Sequence, residues 1–239
     1  MKKIFFEEIT STNTYAKENI EKIDDKTVIY ANRQTNGRGR FSRKWIDLGS
    51  RNLYMTIILH PGDKLKQVHS NLTQYLSVKT CKVIETYGIC PQIKWPNDVL
   101  IDGKKIAGIL SEAVFRKGEL KGIALGVGVN LNVTTEDIIA IPDKIATSLN
   151  LEIGCEVNRN EFLDKLIEEF FKDYENFLVE GFKSIKETYL KYVILKGEKI
   201  TVQVLNREVE GKFETINDDG TIKLITNKGE ENLSIGDII

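Results

Sequence analysis

No apolar run in this sequence approaches the roughly 20 residues that span a bilayer. The start, MKKIFFEEITSTN, has a short basic opening, but Glu7 and Glu8 end its apolar part almost at once. No secretory leader and no membrane partner are therefore expected, and the setting that fits is cytoplasmic. Cysteine is scarce: Cys81, Cys90 and Cys155 are scattered and odd in number, with no CxxC pair and no metal spacing. Buried or surface thiols in a reducing compartment are expected, not disulfides or a zinc site. The two histidines, His60 and His69, fit neither HExxH nor another ligand pattern and read as structural or surface residues. An excess of either charge is missing too, with 34 Lys and Arg against 35 Asp and Glu. That excludes non-specific nucleic-acid binding as the main activity, because such binding draws on many unbalanced cations; a local basic patch is still allowed. The GxxxxGK[ST] phosphate loop is absent, as is a GxGxxG that opens a helix, so an ATP enzyme here would belong to neither common nucleotide-binding class. No Ser/His/Asp or Cys/His arrangement suggests nucleophilic catalysis, and no internal repeat or low-complexity tract interrupts the chain.

What is present is a globular composition: 41% apolar residues in 239, enough for one large domain, or one large and one small. Ser11-Thr12-Asn13 caps a short helical stretch through Ile20. Thr27–Ala31 and Asn52–Leu59 read as strands. Leu65, Val68, Leu72, Leu76 and Val83-Ile84 recur at helical spacing and predict one long helix ending near Gly88. Gln92–Trp95, Val99–Ile101 and Lys105–Phe115 follow as strands, with Asp102-Gly103 as a tight hairpin between the last two. Lys121–Asn132 is a further strand whose glycines admit close approach to its backbone. A helical block covers Glu161–Leu178 and continues through Tyr189–Leu195. After Lys196-Gly197 the texture becomes short alternating strands (KITVQVL, EVEGKFETI, TIKLI, ENLSI) between polar turns, the pattern of a small barrel of roughly five strands.

Two segments carry candidate chemistry. NGRGRFSRKW, Asn36–Trp45, sets Gly37 and Gly39 among Arg38, Arg40, Arg43 and Lys44. Guanidinium forks match carboxylate and phosphate oxygens, and glycines let backbone N–H groups approach an anion. Trp45 adds a flat face for a base; the plainer reading is a solvated basic loop with one anchoring tryptophan. KWPNDVLIDGKKIAG, Lys94–Gly108, folds its Lys104-Lys105 arm back towards Asn97 and Asp98. A lysine there can neutralise a developing phosphate charge, and the two oxygen donors suit Mg²⁺; the plainer reading is an exposed turn. Gly126-Val127-Gly128-Val129-Asn130 lies at the end of a strand and makes a weak dinucleotide signal.

Taken in order, STN (Ser11–Asn13), Gln34, GRGRFSRKW (Gly37–Trp45), NLY (Asn52–Tyr54), KWPNDVLIDGKKIAGIL (Lys94–Leu110) and GVGVNLN (Gly126–Asn132) resemble the biotin–protein ligases over essentially the whole chain. The resemblance implies an α+β fold: a mixed β-sheet flanked by helices, of the class II synthetase type, over 1–192, then an SH3-like barrel over 193–239. It implies activation of biotin by MgATP to biotinyl-5′-AMP, then transfer to a lysine of a biotin carboxyl carrier protein. Ser11, Thr12, Asn13 and Gln34 would hold the biotin head, with Gly108 and Gly126 beside it. Arg38, Gly39 and Arg40 would close over the carboxylate and phosphate, and Arg43 would face the ATP phosphates. Trp45 would stack near adenine and Asn130 would bond its amino edge. Lys105 would contact both reacting groups, Asn97 would meet Mg²⁺ or phosphate, and Asp98 would orient the attacking amine.

The same resemblance allows a homodimer and leaves lipoate–protein ligase chemistry, or a non-catalytic biotin- or nucleotide-binding regulator, as alternatives. Against the first, the arginine-pair and triple-glycine loop of the lipoate family is missing. Against the second, every charged position that the chemistry needs is present. Because STN begins at residue 11, a monofunctional enzyme without operator binding is expected. The glycines and like charges of Asn36–Lys44 predict a loop that is mobile without ligand and closes over the adenylate.

Overall fold

The computed structural model describes residues 1–49, 51–62, 71–139, 145–195 and 198–239. Among the described residues, twelve strands form two sheets. The larger contains β1 (Lys3–Ile9), β2 (Val28–Gln34), β3 (Leu53–Leu59), β4 (Gln92–Lys94), β5 (Asp98–Ile101), β6 (Lys104–Arg116) and β7 (Glu119–Val129), in the order β1-β2-β3-β7-β6-β5-β4. Only β1 and β2 run parallel; every other pair is antiparallel. The continuous apolar runs arise because both faces of the central strands are covered. Ile29, Ile58 and Ala124 pack on Ala16 and Ile20 at α1 (Thr12–Glu18). Their neighbours Val28, Ile57 and Leu125 point to the opposite face and the main core. There α2 (Asn71–Glu85) and α5 (Arg159–Lys172) contribute Tyr75, Leu76, Phe162 and Phe170. Short helices α3 (Thr135–Ile139), α4 (Leu149–Ile153), α6 (Tyr174–Glu180) and α7 (Lys186–Tyr192) complete the large unit.

Local chemistry explains the joints. The Ser11 hydroxyl accepts from Thr14 N, capping α1. Asp102 and Gly103 both adopt positive φ, 47° and 73°, which closes the β5–β6 hairpin in two residues. The expected single helical block Glu161–Leu178 is instead α5 and α6, broken at Asp173 (φ −120°). Its carboxylate accepts at 2.6 Å from Lys79 Nζ, and the Lys79 side chain is only 1% exposed. The parallel edge strand β1 has no counterpart in the sequence reading, because its seven residues show no clean alternation. Leu65, Val68 and His69, and the Lys196-Gly197 junction, lie outside the described residues. His60 is structural: its ring nitrogens lie 2.8 Å from Lys121 O and 3.0 Å from Ile23 O.

The second sheet holds β8 (Lys199–Val204), β9 (Arg207–Ile216), β10 (Ile222–Thr226), β11 (Gly229–Leu233) and β12 (Asp237–Ile238), all antiparallel, in the order β11-β10-β9-β8-β12. Its apolar face continues the main core through Val193, Leu195, Val202 and Phe213. A turn fixes it to the large unit: Asn71 Nδ2 donates to Asp219 O, and Gln74 Nε2 and Trp95 Nε1 donate to Gly220 O. Gly220 has φ +82°, and a Cβ there would meet Asn71 Nδ2 at 2.2 Å, so only glycine serves. No helix among the described residues is long and apolar enough to cross a membrane.

Candidate active site

Three glycines make the floor. Gly108 on β6 pairs with Gly128 on β7, and Leu110 with Gly126. Cβ atoms would meet Asn13 Oδ1 at 2.1 Å from Gly126, and the Trp45 ring at 2.7 Å from Gly108 and 2.5 Å from Gly128. The strands thus lack side chains where Asn13 and the indole must lie. Gly128 belongs to the floor as fully as the two expected glycines; its signal was the two-residue spacing from Gly126, which puts both on one face.

At one end of the floor is a neutral, buried network. Gln34 Oε1 accepts from Thr12 N at 2.8 Å and from Thr12 Oγ1 at 3.2 Å. Thr56 Oγ1 lies 2.8 Å from Thr12 Oγ1 and 2.6 Å from Asn13 Oδ1. Asn13 Nδ2 donates to Leu110 O and to Glu112 Oε2. Ser11, Thr12, Asn13 and Gln34 therefore come together as expected, because the parallel partners β1 and β2 end beside each other and α1 starts there. Thr56 and Glu112 join them without having been singled out. Ser11, Thr12, Asn13 and Gln34 line a small pocket of about 30 Å³, with Arg38 and Trp45 also in its wall.

At the other end lies a cavity of about 390 Å³. The arginine loop forms one wall as a small hairpin: Trp45 N donates to Gly37 O and Gly39 N to Arg43 O, around a tight turn Arg40–Ser42 with Phe41 at φ 51°. Arg38, Arg40, Arg43 and Lys105 all reach the cavity, and each has a carboxylate partner. Arg38 Nη2 is 3.2 Å from Glu112 Oε1, and Lys105 Nζ is 2.7 Å from Asp98 Oδ1. Arg40 Nη1 and Arg43 Nη1 lie 2.8 and 2.6 Å from the two oxygens of Asp237. Burial lowers the pKa of Arg40 from its ordinary value, while Asp237 and Asp98 act against that. Lys105 Nζ also sits 5.5 Å above the Trp45 ring. Asn130 Nδ2 donates to Thr147 O at 3.0 Å, so the amide oxygen is the atom able to accept from an amine. Asn97 Oδ1 accepts from Arg40 at 2.9 Å and Asn97 Nδ2 donates to Ile109 O, which holds the side chain at the cavity wall. Asp237 and Ile238 of β12 line the cavity as well, and no sequence motif pointed to them.

The site thus sets a glycine floor between a polar pocket and a basic cavity. The chain belongs to the biotin/lipoate A/B protein ligase family, whose model matches residues 5–130. Residues 197–239 match the biotin protein ligase C-terminal domain. The bifunctional ligase/repressor BirA of Bacillus subtilis (strain 168) is 34% identical over 89% of this chain, and the match spans 65% of that relative's length. The biotin–[acetyl-CoA-carboxylase] ligase of Paracoccus denitrificans is 30% identical, covering 90% of each chain. A biotin protein ligase from Aquifex aeolicus, solved with biotin and ATP, superimposes with a TM-score of 0.85 at 27% identity, covering 100% of this chain and 97% of that one.

Proposed function

We propose that this chain is an ATP-dependent biotin–protein ligase. The observation that carries the reading is the convergence of Arg38, Arg40, Arg43 and Lys105 on one cavity that abuts the Thr12–Asn13–Gln34 pocket. A reaction that joins two anions needs dense positive charge at their meeting point, with a neutral hydrogen-bonding recess beside it for the rest of the acid. A biotin carboxylate oxygen attacks the α-phosphorus of ATP; the bond to the bridging oxygen breaks and pyrophosphate leaves. Lys105 contacts the carboxylate and the α-phosphate, Arg38 and Arg40 close over both, and Arg43 faces the β- and γ-phosphates. The ureido head takes the Ser11–Asn13 and Gln34 groups, Trp45 lies against adenine, and Asn130 Oδ1 accepts from the adenine amine. A neutral lysine ε-amine of a biotin carrier domain then attacks the acyl carbon. AMP leaves, the amine gives up a proton near Asp98, and an amide remains.

Magnesium enters with the nucleotide. No group of three or more His, Cys, Asp or Glu side chains among the described residues could hold a metal, and Asn97 Oδ1, which accepts from Arg40, keeps a second lone pair for the ion or its phosphate. The described residues offer no all-protein cage, and phosphate oxygens and water would supply most of the ion's ligands. We assign residues 1–192 to biotin and ATP and 193–239 to the small domain, in a cytoplasmic enzyme able to pair into homodimers. These two units carry ligase chemistry and no operator binding: the net charge is −1, and the loop arginines are engaged at the cavity.

The test is to incubate the protein with biotin, MgATP and a biotin carrier domain. A mass gain of one biotinyl group that requires all three supports the reading; an unchanged carrier contradicts it.

A further inference from the structure

We propose that Asp237, on the last strand of the small domain, is the positioning residue for the two nucleotide-facing arginines, so that the C-terminal domain completes the ATP subsite. The inference rests on the ATP-dependent reading above and adds a residue and a domain to it. Arg40 and Arg43 stand three residues apart across the tight turn of the loop, with Arg43 N donating to Arg40 O at 3.0 Å. Asp237 fits between them with one oxygen for each: Oδ1 accepts from Arg40 Nη1 at 2.8 Å, and Oδ2 lies 2.6 Å from Arg43 Nη1. Arg40 Nη2 also donates to the neighbouring Gly236 O at 3.1 Å.

The carboxylate is only 15% exposed, a position that is costly for an anion unless it is paired, and both cations are supplied from 194 or more residues earlier in the chain. Gly236 makes the approach possible. A Cβ there would meet Val202 Cγ1 at 2.5 Å and Gln203 O at 3.0 Å, at φ +154°. A glycine therefore lets β12 lie against β8 and brings Asp237 to the cavity wall.

The domain does not need Asp237 to stay docked. The Gly220 turn against Asn71, Gln74 and Trp95, and the Lys186–Asp218 ion pair at 2.6 Å, hold it at a separate place. What Asp237 supplies is orientation. Arg43 is 57% exposed and Asp237 is its one ion-pair partner among the described residues, through Nη1, which leaves Nε and Nη2 for phosphate oxygens. Donors fixed before the anion arrives lose little on binding it, whereas a free arginine must be ordered at that moment.

The experiment uses the whole chain and measures pyrophosphate release over ATP and biotin titrations, with ATP binding followed by calorimetry in the absence of biotin. Asp237→Asn should raise KM for ATP about ten-fold or more and weaken ATP binding to match, with KM for biotin changed less than about two-fold. Asp237→Glu should recover most of the loss. Asp218→Asn, which cuts the docking contact alone, should leave both KM values as they were. If Asp237→Asn does not fold, the small residual rise left by Asp237→Glu must still fall on KM for ATP and not on KM for biotin. Unchanged ATP parameters, an equal rise in both KM values, or the same effect from Asp218→Asn would each overturn the proposal. A wild-type protein that binds ATP without activating biotin would strike at the biotin reading and leave the Asp237 comparison legible in the calorimetry.

Discussion

At the polar end of the site, Thr12, Asn13, Gln34 and Thr56 are each no more than 7% exposed and hold one another through neutral hydrogen bonds. At the basic end, Arg38, Arg40, Arg43 and Lys105 are each held by a carboxylate, with side-chain exposures from 17% to 57%. The first arrangement is fixed when the sheet folds, because every member is buried and a lost partner leaves an unsatisfied polar atom. The second is exchangeable, because an incoming phosphate offers the same oxygens as the acids it meets. On the proposed reading, recognition of the acid's neutral head is built in, while charge for the reaction is stored in pairs that an anionic substrate can borrow.

Breaking the basic end costs most. Lys105→Ala removes the point charge that the proposed function sets beside the reacting phosphate, and biotinyl-AMP synthesis should fall about 100-fold or more. The lysine is partly exposed on a hairpin arm, so the melting temperature should move by no more than about 4 °C. Breaking the polar end is a smaller and separable loss. In Gly126→Ala the new Cβ collides with Asn13 Oδ1, of an amide pinned through Oδ1 by Thr56 and through Nδ2 by Leu110 and Glu112. Calorimetry should show biotin binding weakened about ten-fold, with ATP binding unchanged; a parallel loss of both would mean that the two ends are not independent.

A second charged cluster sharpens the contrast, because it pairs the same kinds of group around a buried lysine away from the site. Lys79, 1% exposed, is paired with Glu169 and Asp173 at the break between α5 and α6. The hydrogen bond from Lys79 chiefly holds the Asp173 carboxyl below its ordinary value. A carboxyl depressed on folding contributes stability that is present above its unfolded value, about 4, and is lost as pH falls through the folded one. Melting curves should show the wild type losing more stability than Lys79→Met between about pH 5 and pH 2, while both make the adenylate at neutral pH. Smallest of all is the effect of DNA: at physiological salt this chain should retain none in a gel shift, with or without biotinyl-AMP. A discrete complex would show that the loop cations are free for phosphodiesters.

How far the sequence carried these conclusions follows the same division. The motifs Ser11–Asn13, Gly37–Trp45 and Lys94–Gly108 are local, and the structure gathers their residues around one floor. Asp102-Gly103 predicted its hairpin because two residues of positive φ leave few other choices. Asp237 was invisible: its partner Arg40 is 197 residues away, and a Gly-Asp pair at the start of a two-residue strand carries no local signal. Glu112 escaped for a related reason, since its partners Lys17, Arg38 and Asn13 come from other segments. The break at Asp173 was hidden because apolar spacing persists across it, while the buried Lys79 that it serves lies 94 residues earlier.

The central claim, that one cavity couples a biotin-type acid to ATP, is tested most directly by ATP–pyrophosphate exchange on the purified chain. The measurement needs three arms: biotin, lipoate and no acid. Exchange that appears with biotin alone is the predicted result. Exchange driven by lipoate, or none with any acid, would contradict the assignment of the polar pocket and of the arginine cavity beside it.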